Sequence, residues 1–267
     1  MTRRELLKDF EGKILSPNHP LTLHVAGVVN KILKANDLGS LKAPHPARVL
    51  GNATDDDFWS DSSRMDAFPP ESGGKEWELL VVDDDKVINA AAAYGNIIVF
   101  TGILPVARNE EGLAAVLAHE IGHVVARHNA EMASSRIVFF AVAALVSFAL
   151  QWDFGLASSL ANLVLVLPHS RAMEFEADAI GLKLMSKACF EPRAAPEIFE
   201  RLGKIEEQQG VMKELSFMYT HPSSQARVER LEQKMPEAYE IRARSPECAG
   251  ILDKLQQFQE SRRGWGW

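Results

Sequence analysis

The sequence is poor in several features that would each point to a particular class of protein. It has two cysteines, Cys189 and Cys248, far apart and in no CxxC pattern. Disulfide staples are therefore not expected. Both read as packed or partly exposed free thiols, which mildly favours a reducing or neutral compartment. Positive charge is not in excess: 29 Lys and Arg stand against 36 Asp and Glu, a formal net charge of -7. That excludes the basic footprint of a nucleic-acid binder. The N-terminal MTRRELLKDF lacks the apolar core of a secretory signal and is too short and too acidic for a transit peptide. The chain then is a processed or truncated form, or its targeting information lies elsewhere. No internal repeat is visible, and neither of the two long apolar stretches, 137–150 and 154–167, reaches the roughly 20 residues of a simple membrane span.

What remains is globular. The 267 residues are 46% hydrophobic and 24% charged, enough to bury a sizeable core without disulfides. We expect one domain over 1–267, with an N-terminal helical and loop region at 1–75, a core at 76–235 and a C-terminal helix and tail at 236–267. Leu21, Leu23, Val25, Val28, Val29, Ile32 and Leu33 form a helical stripe, preceded by Pro17 and Pro20 and ended by Gly39. Residues 41–75 are polar and loop-like, and Asp55-Asp56-Asp57 within them reads as a solvated acidic run. Residues 76–82 read as a strand and Asp83-Asp84-Asp85 as a turn. Residues 87–93 lead through Tyr94-Gly95-Asn96 into the β-branched strand Ile97-Ile98-Val99-Phe100. This predicts a small antiparallel sheet. Two amphipathic helices are expected over 191–207 and 222–260.

Against this background stands Ala118-His119-Glu120-Ile121-Gly122-His123, His-Glu-x-x-His in a run patterned as a helix. Asn109 is a good N-cap, Glu110 and Glu111 complement the helix dipole, and apolar positions continue to about His128. Residues four apart share a helix face, so His119 and His123 can direct two imidazoles at one metal ion. Glu120 can reach a water on that metal as general base. This is the zinc metallopeptidase signature.

A catalytic zinc site needs a third protein ligand. The downstream candidates are His128, His169, Glu174, Glu176 and Asp178. On a continuing helix His128 lies about 140° round from His123, which gives it a structural or surface role. In the helical stretch 169–184, Glu174 and Asp178 share a face, while Glu176 lies about 200° from Glu174 and reads as a solvated charge. Glu174 is therefore expected as third ligand. Asp178 is expected to accept the distal N–H of a ligand histidine, with Ala177 suited to close helix contact.

With His-Glu-x-x-His and Ser170-Arg171-x-x-Glu174-x-x-Ala177-Asp178 both in place, the chain resembles the membrane-associated zinc peptidases that include the CAAX prenyl proteases and the bacterial heat-shock protease HtpX. The likeness is greatest to their mitochondrial inner-membrane members, whose activity overlaps the m-AAA protease. It extends over about residues 14–235 and rests further on Pro17-Asn18-His19-Pro20, Val81-Val82-Asp83-Asp84 and 99–104. The resemblance implies an α+β, mostly helical zincin-like fold with the small sheet next to the HExxH helix, and one Zn2+ per chain. It implies Glu174 as ligand and Asp178 as the residue orienting a ligand histidine. Thr220-His221-Pro222 matches a Thr-His-Pro element near the family's active site, which makes His221 a donor to the developing oxyanion. Arg227 is then placed to orient a site carboxylate. The chain departs from the family in Asn89-Ala90-Ala91-Ala92-Ala93, where an Asn-Ala-Phe stretch is usual, so the pocket's shape is expected to differ.

The function expected is a zinc endopeptidase cleaving membrane or membrane-proximal proteins in quality control or stress response. Ile97, Ile98, Val99 and Phe100 would serve as an edge strand for substrate. The 137–167 hairpin is expected to meet a membrane, with a pair of buried core helices as the other reading. The partners are polypeptide substrates, membrane proteins above all, and no nucleic acid; a homo-oligomer is compatible with the sequence. The location is the mitochondrial inner membrane by resemblance, or another membrane-associated compartment. The alternatives are a catalytically inactive zinc-bound scaffold or regulator, and a helical membrane-interaction protein with His119 and His123 as buried core histidines.

Overall fold

The computed structural model describes residues 10–42, 76–93, 95–132, 167–209 and 225–250, with residues 134, 141, 144, 145, 147, 148, 217 and 221. Helix α1 (Pro20–Ala35) starts where the sequence signals it. His19 caps it through Nδ1, which accepts from the Leu21 amide at 3.3 Å, and Pro20 fills the first turn. Its buried face is Thr22, Val25, Val28, Val29, Ile32 and Leu33, whereas Leu21 and Leu23 of the expected stripe stay exposed. At the far end the Asn36 side-chain amide donates to Ile32 O (2.8 Å) and to Leu184 O (3.0 Å), which ties α1 to the helix over residues 167–187.

Strands β1 (Ser40–Leu41), β2 (Glu76–Val82), β3 (Ala90–Ala93) and β4 (Asn96–Phe100) form one sheet in the order β1-β2-β4-β3. The small sheet is where it was expected, but it is mixed. Only β3 and β4 pair antiparallel; β1–β2 and β2–β4 are parallel. Residues 83–89 carry the chain past β2 to the outside, and the turn at Gly95 (φ 81°) returns β4 between β2 and β3. The partition of residues explains the order. β4 buries Ile97, Val99 and Phe100 and takes the inner position, while four alanines form the outer strand. This corrects the expected substrate edge. Ile97, Ile98, Val99 and Phe100 are flanked on both sides, and the edge strands among the described residues are β1 and β3.

A 3-10 turn (Thr101–Ile103) and the short α2 (Leu104–Ala107) lead to α3 (Glu110–Val125), capped by Asn109 Oδ1, which accepts from the Gly112 amide at 3.0 Å. Then come α4 (Leu167–Lys187), α5 (Ala194–Gln209) and α6 (Gln225–Arg244). α3 packs most extensively against α4 and lays its other side on β3. The α3–α4 approach depends on two glycines. A Cβ on Gly181 would come within 2.9 Å of the His119 backbone, and one on Gly122 within 2.9 Å of Ala177 O. The expected tight contact at Ala177, itself fully buried, is thus made possible by glycine on both helices.

The free-thiol reading of the cysteines is overturned. Cys189 and Cys248 form a disulfide, Cα atoms 5.2 Å apart, joining the end of α4 to the segment after α6. Distance along the chain hides what folding brings together: Ser245 Oγ also donates to Lys187 O at 2.6 Å, and Arg242 Nη1 meets Glu191 Oε2 at 2.6 Å. The preference for a reducing compartment falls with it. The 137–167 hairpin lies almost wholly outside the described residues; of those described within it, Leu145 and Phe148 are exposed. Among the described residues no helix is long and apolar enough to cross a membrane.

Candidate metal centre

α3 and α4 place their chemistry on facing sides. His119, Glu120 and His123 are buried on α3, and Glu174 and Asp178 on α4. The Nε2 atoms of His119 and His123 are 3.1 Å apart. Each is 3.4 Å from a different oxygen of the Glu174 carboxylate. His221 closes the group, its Nδ1 3.0 Å from Glu174 Oε1 and 3.3 Å from His119 Nε2. One ligand atom from each of these four side chains lies within 4.8 Å of all the others. Phe217 stacks on the His221 ring at 4.7 Å and donates its backbone N–H to Ile88 O at 2.7 Å, which anchors this segment to the strand connection.

Behind the histidines stands a buried charge network. Asp178 Oδ1 is 2.9 Å from His119 Nδ1. Arg227, on α6, donates to both Asp178 oxygens at 2.7 Å and lies 3.1 Å from Glu174 Oε2. Its guanidinium rests 4.4 Å over the Phe199 ring. One buried arginine therefore contacts the two buried carboxylates of α4, Glu174 and Asp178.

The titration behaviour follows from this packing. Burial would push the Glu174 carboxyl up, but hydrogen bonds with His119 and His221 outweigh it and hold the group well below the usual carboxylate range. Burial likewise opposes ionisation of Asp178, and the Arg227 bonds overcome it, so that group too is held low. Burial would lower His119, yet Asp178 and Glu174 raise it to about 9. His123 is pushed down to about 2 by burial and then by the neighbouring His119 and His221 rings.

These residues fit a cation. Two imidazole nitrogens face each other with room for at most one proton between them, His123 is held neutral, and a carboxylate completes the convergent donor set. Glu120 stands beside them with one oxygen engaged and one not. Oε2 accepts from the Ala92 amide of β3 at 3.2 Å. Oε1 is buried and has no hydrogen-bond partner among the described residues; His221 Nε2 lies 3.4 Å away. A buried, unsatisfied carboxylate oxygen is costly, and it points to a proton or water that chemistry brings there.

One placement differs from the sequence reading. His128 does not face away: it is buried, and its Nδ1 lies 2.8 Å from His123 Nδ1. Helix α3 ends at Val125, and Arg127 at φ 61° turns the chain back, so helical extrapolation to position 128 fails. A glycine or asparagine at 127 would have signalled that turn; an arginine does not. Glu176 is exposed as expected, but its Oε2 is 3.4 Å from His128 Nε2. Asn129 donates from Nδ2 to Ala92 O at 3.4 Å. Thr220 and Pro222 lie outside the described residues.

Comparison with known proteins agrees with this geometry. The chain is 37% identical over 262 residues to the mitochondrial metalloendopeptidase OMA1 of Schizosaccharomyces pombe, covering 96% of this chain and 66% of that protein. It is 34% identical over 180 residues to the human mitochondrial metalloendopeptidase OMA1, covering 62% of this chain and 34% of that one. It is also 31% identical over 156 residues, 54% of this chain and 32% of the other, to a putative beta-barrel assembly-enhancing protease of Vibrio cholerae. The chain thus spans about two thirds of the length of the fission-yeast relative. Residues 64–235, which include α3 and α4, match peptidase family M48, and the chain belongs to that family.

Proposed function

We propose that the chain is a zinc-dependent endopeptidase of the mitochondrial inner membrane that cleaves membrane or membrane-proximal polypeptides in quality control or stress response. The observation that carries the reading is the buried convergence of His119, His123 and Glu174 beside a Glu120 oxygen that has no hydrogen-bond partner among the described residues. The mitochondrial location is supported by the names of the OMA1 relatives.

One zinc ion per chain, held by His119, His123 and Glu174, would supply Lewis-acid polarisation and lower the pKa of a bound water from 15.7 towards about 7. Glu120 takes a proton at Oε1, the oxygen without a partner, and returns it to the leaving amine. His221 Nε2 borders the same space and donates to the developing oxyanion. Asp178 holds the proton of His119 on Nδ1, and Arg227 fixes Asp178 and Glu174 in place.

On this reading, substrate would bind along the outer edge of β3. Phe100 N donates to Asn89 O, and in an antiparallel ladder bonded pairs alternate, so Asn89, Ala91 and Ala93 bond to β4 while Ala90 and Ala92 turn outward. The Ala92 groups now bond to Glu120 and Asn129 and would be taken over by a peptide backbone, which demands little of its sequence. The test is Glu120→Gln. The variant should bind zinc at wild-type stoichiometry and lose cleavage of an unfolded polypeptide by about 10²–10⁴-fold, the range for a general base. Undiminished cleavage, or a wild-type chain without zinc, sinks the reading.

A further inference from the structure

Each metal-binding imidazole that offers Nε2 must carry its proton on Nδ1, and something must accept that proton. For His119 the acceptor is Asp178. For His123 it is a second imidazole. His123 Nδ1 and His128 Nδ1 face each other at 2.8 Å, and the His128 ring is fully buried. Two ring nitrogens at that distance share one proton, so one donates and the other accepts. If His128 donated, neutral His123 would carry its own proton on Nε2, against His119 Nε2 at 3.1 Å and in the space a cation would fill. The arrangement compatible with a metal is the reverse: His123 Nδ1–H donates and His128 Nδ1 accepts. A His128 ring that accepts at Nδ1 carries its ring proton on Nε2, and Nε2 is the atom that lies 3.4 Å from Glu176 Oε2.

We propose that His128 is the positioning residue for His123, in a chain Glu176–His128–His123 that fixes the tautomer presented to the metal. The proposal rests on the zinc reading above. Helix α4 then serves both imidazoles: Asp178 reaches His119 directly, and Glu176 reaches His123 through His128. The two devices differ in environment. Asp178 is buried and braced by arginine, whereas the Glu176 side chain is 61% exposed, so the second chain runs from the metal face to the surface.

The experiment measures zinc affinity of the whole chain by competition with a chromogenic chelator, beside the thermal unfolding of the metal-free forms. His128→Phe keeps a buried ring without nitrogen and should weaken zinc binding by about 10–100-fold. His128→Asn returns an amide oxygen near the Nδ1 position and should recover most of that loss. Glu176→Ala should weaken binding less than His128→Phe. In 15N-histidine spectra of the zinc form, His123 should be protonated on Nδ1. Wild-type zinc affinity in His128→Phe overturns the proposal, as does equal loss in the Phe and Asn variants in step with their melting temperatures, or an unprotonated His123 Nδ1. Wild-type affinity in Glu176→Ala removes the outer link. A wild-type chain that binds no zinc overturns the zinc reading instead, which keeps the two failures apart.

Discussion

At the scale of single residues, the site is a set of ionisable groups whose environments push them in opposite directions. In the metal-free chain this gives a definite pH profile. His119 is raised to about 9, so the stability it contributes is complete below the unfolded value of 6.5 and is lost as pH rises through 9. His123 is lowered to about 2, so its contribution is complete above 6.5 and is lost as pH falls towards 2. Glu174 and Asp178 are also lowered and act in the same sense as His123, starting from their unfolded values of 4.5 and 3.8. Stability of the metal-free chain should therefore peak near pH 6.5 and decline on both sides, more steeply once the carboxylates begin to protonate. Denaturant midpoints across pH in the presence of a chelator give the profile. A midpoint that kept rising from pH 6.5 to 9 would contradict the His119–Asp178 pairing.

At the scale of elements, the active-site frame is two helices pressed together, and the pressure can be tested. Gly181 stands against the backbone of His119, where the atoms within 3.0 Å of an added Cβ are all main-chain. Gly181→Ala must push α4 away from α3, at a cost of about 1–3 kcal/mol for overpacking. Because Glu174 and Asp178 ride on α4, zinc affinity should fall along with the melting temperature. Gly250→Ala, where an added Cβ meets nothing, should change neither. This element contact was only half legible in the sequence. The register of His119 with His123 and of Glu174 with Asp178 follows from helical spacing, and spacing is local. The strand segments were legible for the same reason, since β2 runs over the residues that read as strand. The strand order was not, because it depends on which strand is buried on both edges. Nor was the place of His128, because the left-handed Arg127 that turns it inward carries no compositional mark.

At the scale of the whole molecule, the site is assembled from segments distant in sequence, and something must hold them to one another. α3 is seated on the sheet and α1, while α6 brings Arg227 in from the other side to reach α4. The far end of α6 is fastened by the Arg242–Glu191 pair and by the Cys189–Cys248 disulfide. The closed loop contains α5 and α6, so the crosslink restrains the part of the unfolded chain that must return to cover α4. A bridge spanning 59 residues is worth ~4 kcal/mol in the chain-entropy account. Replacing both cysteines by serine should lower the melting temperature of the metal-free chain by about 2–4 °C per kcal/mol lost. The same substitution tests how far the clamp extends. Arg227 lies at the opposite end of α6 and is buried against Phe199, Asp178 and Glu174. Its local contacts should hold it after the bridge is gone, so zinc affinity of the folded double variant should stay within about threefold of wild type, under 1 kcal/mol. A larger loss at temperatures where the variant remains folded would mean that the crosslink, rather than the arginine's own packing, keeps α6 against α4.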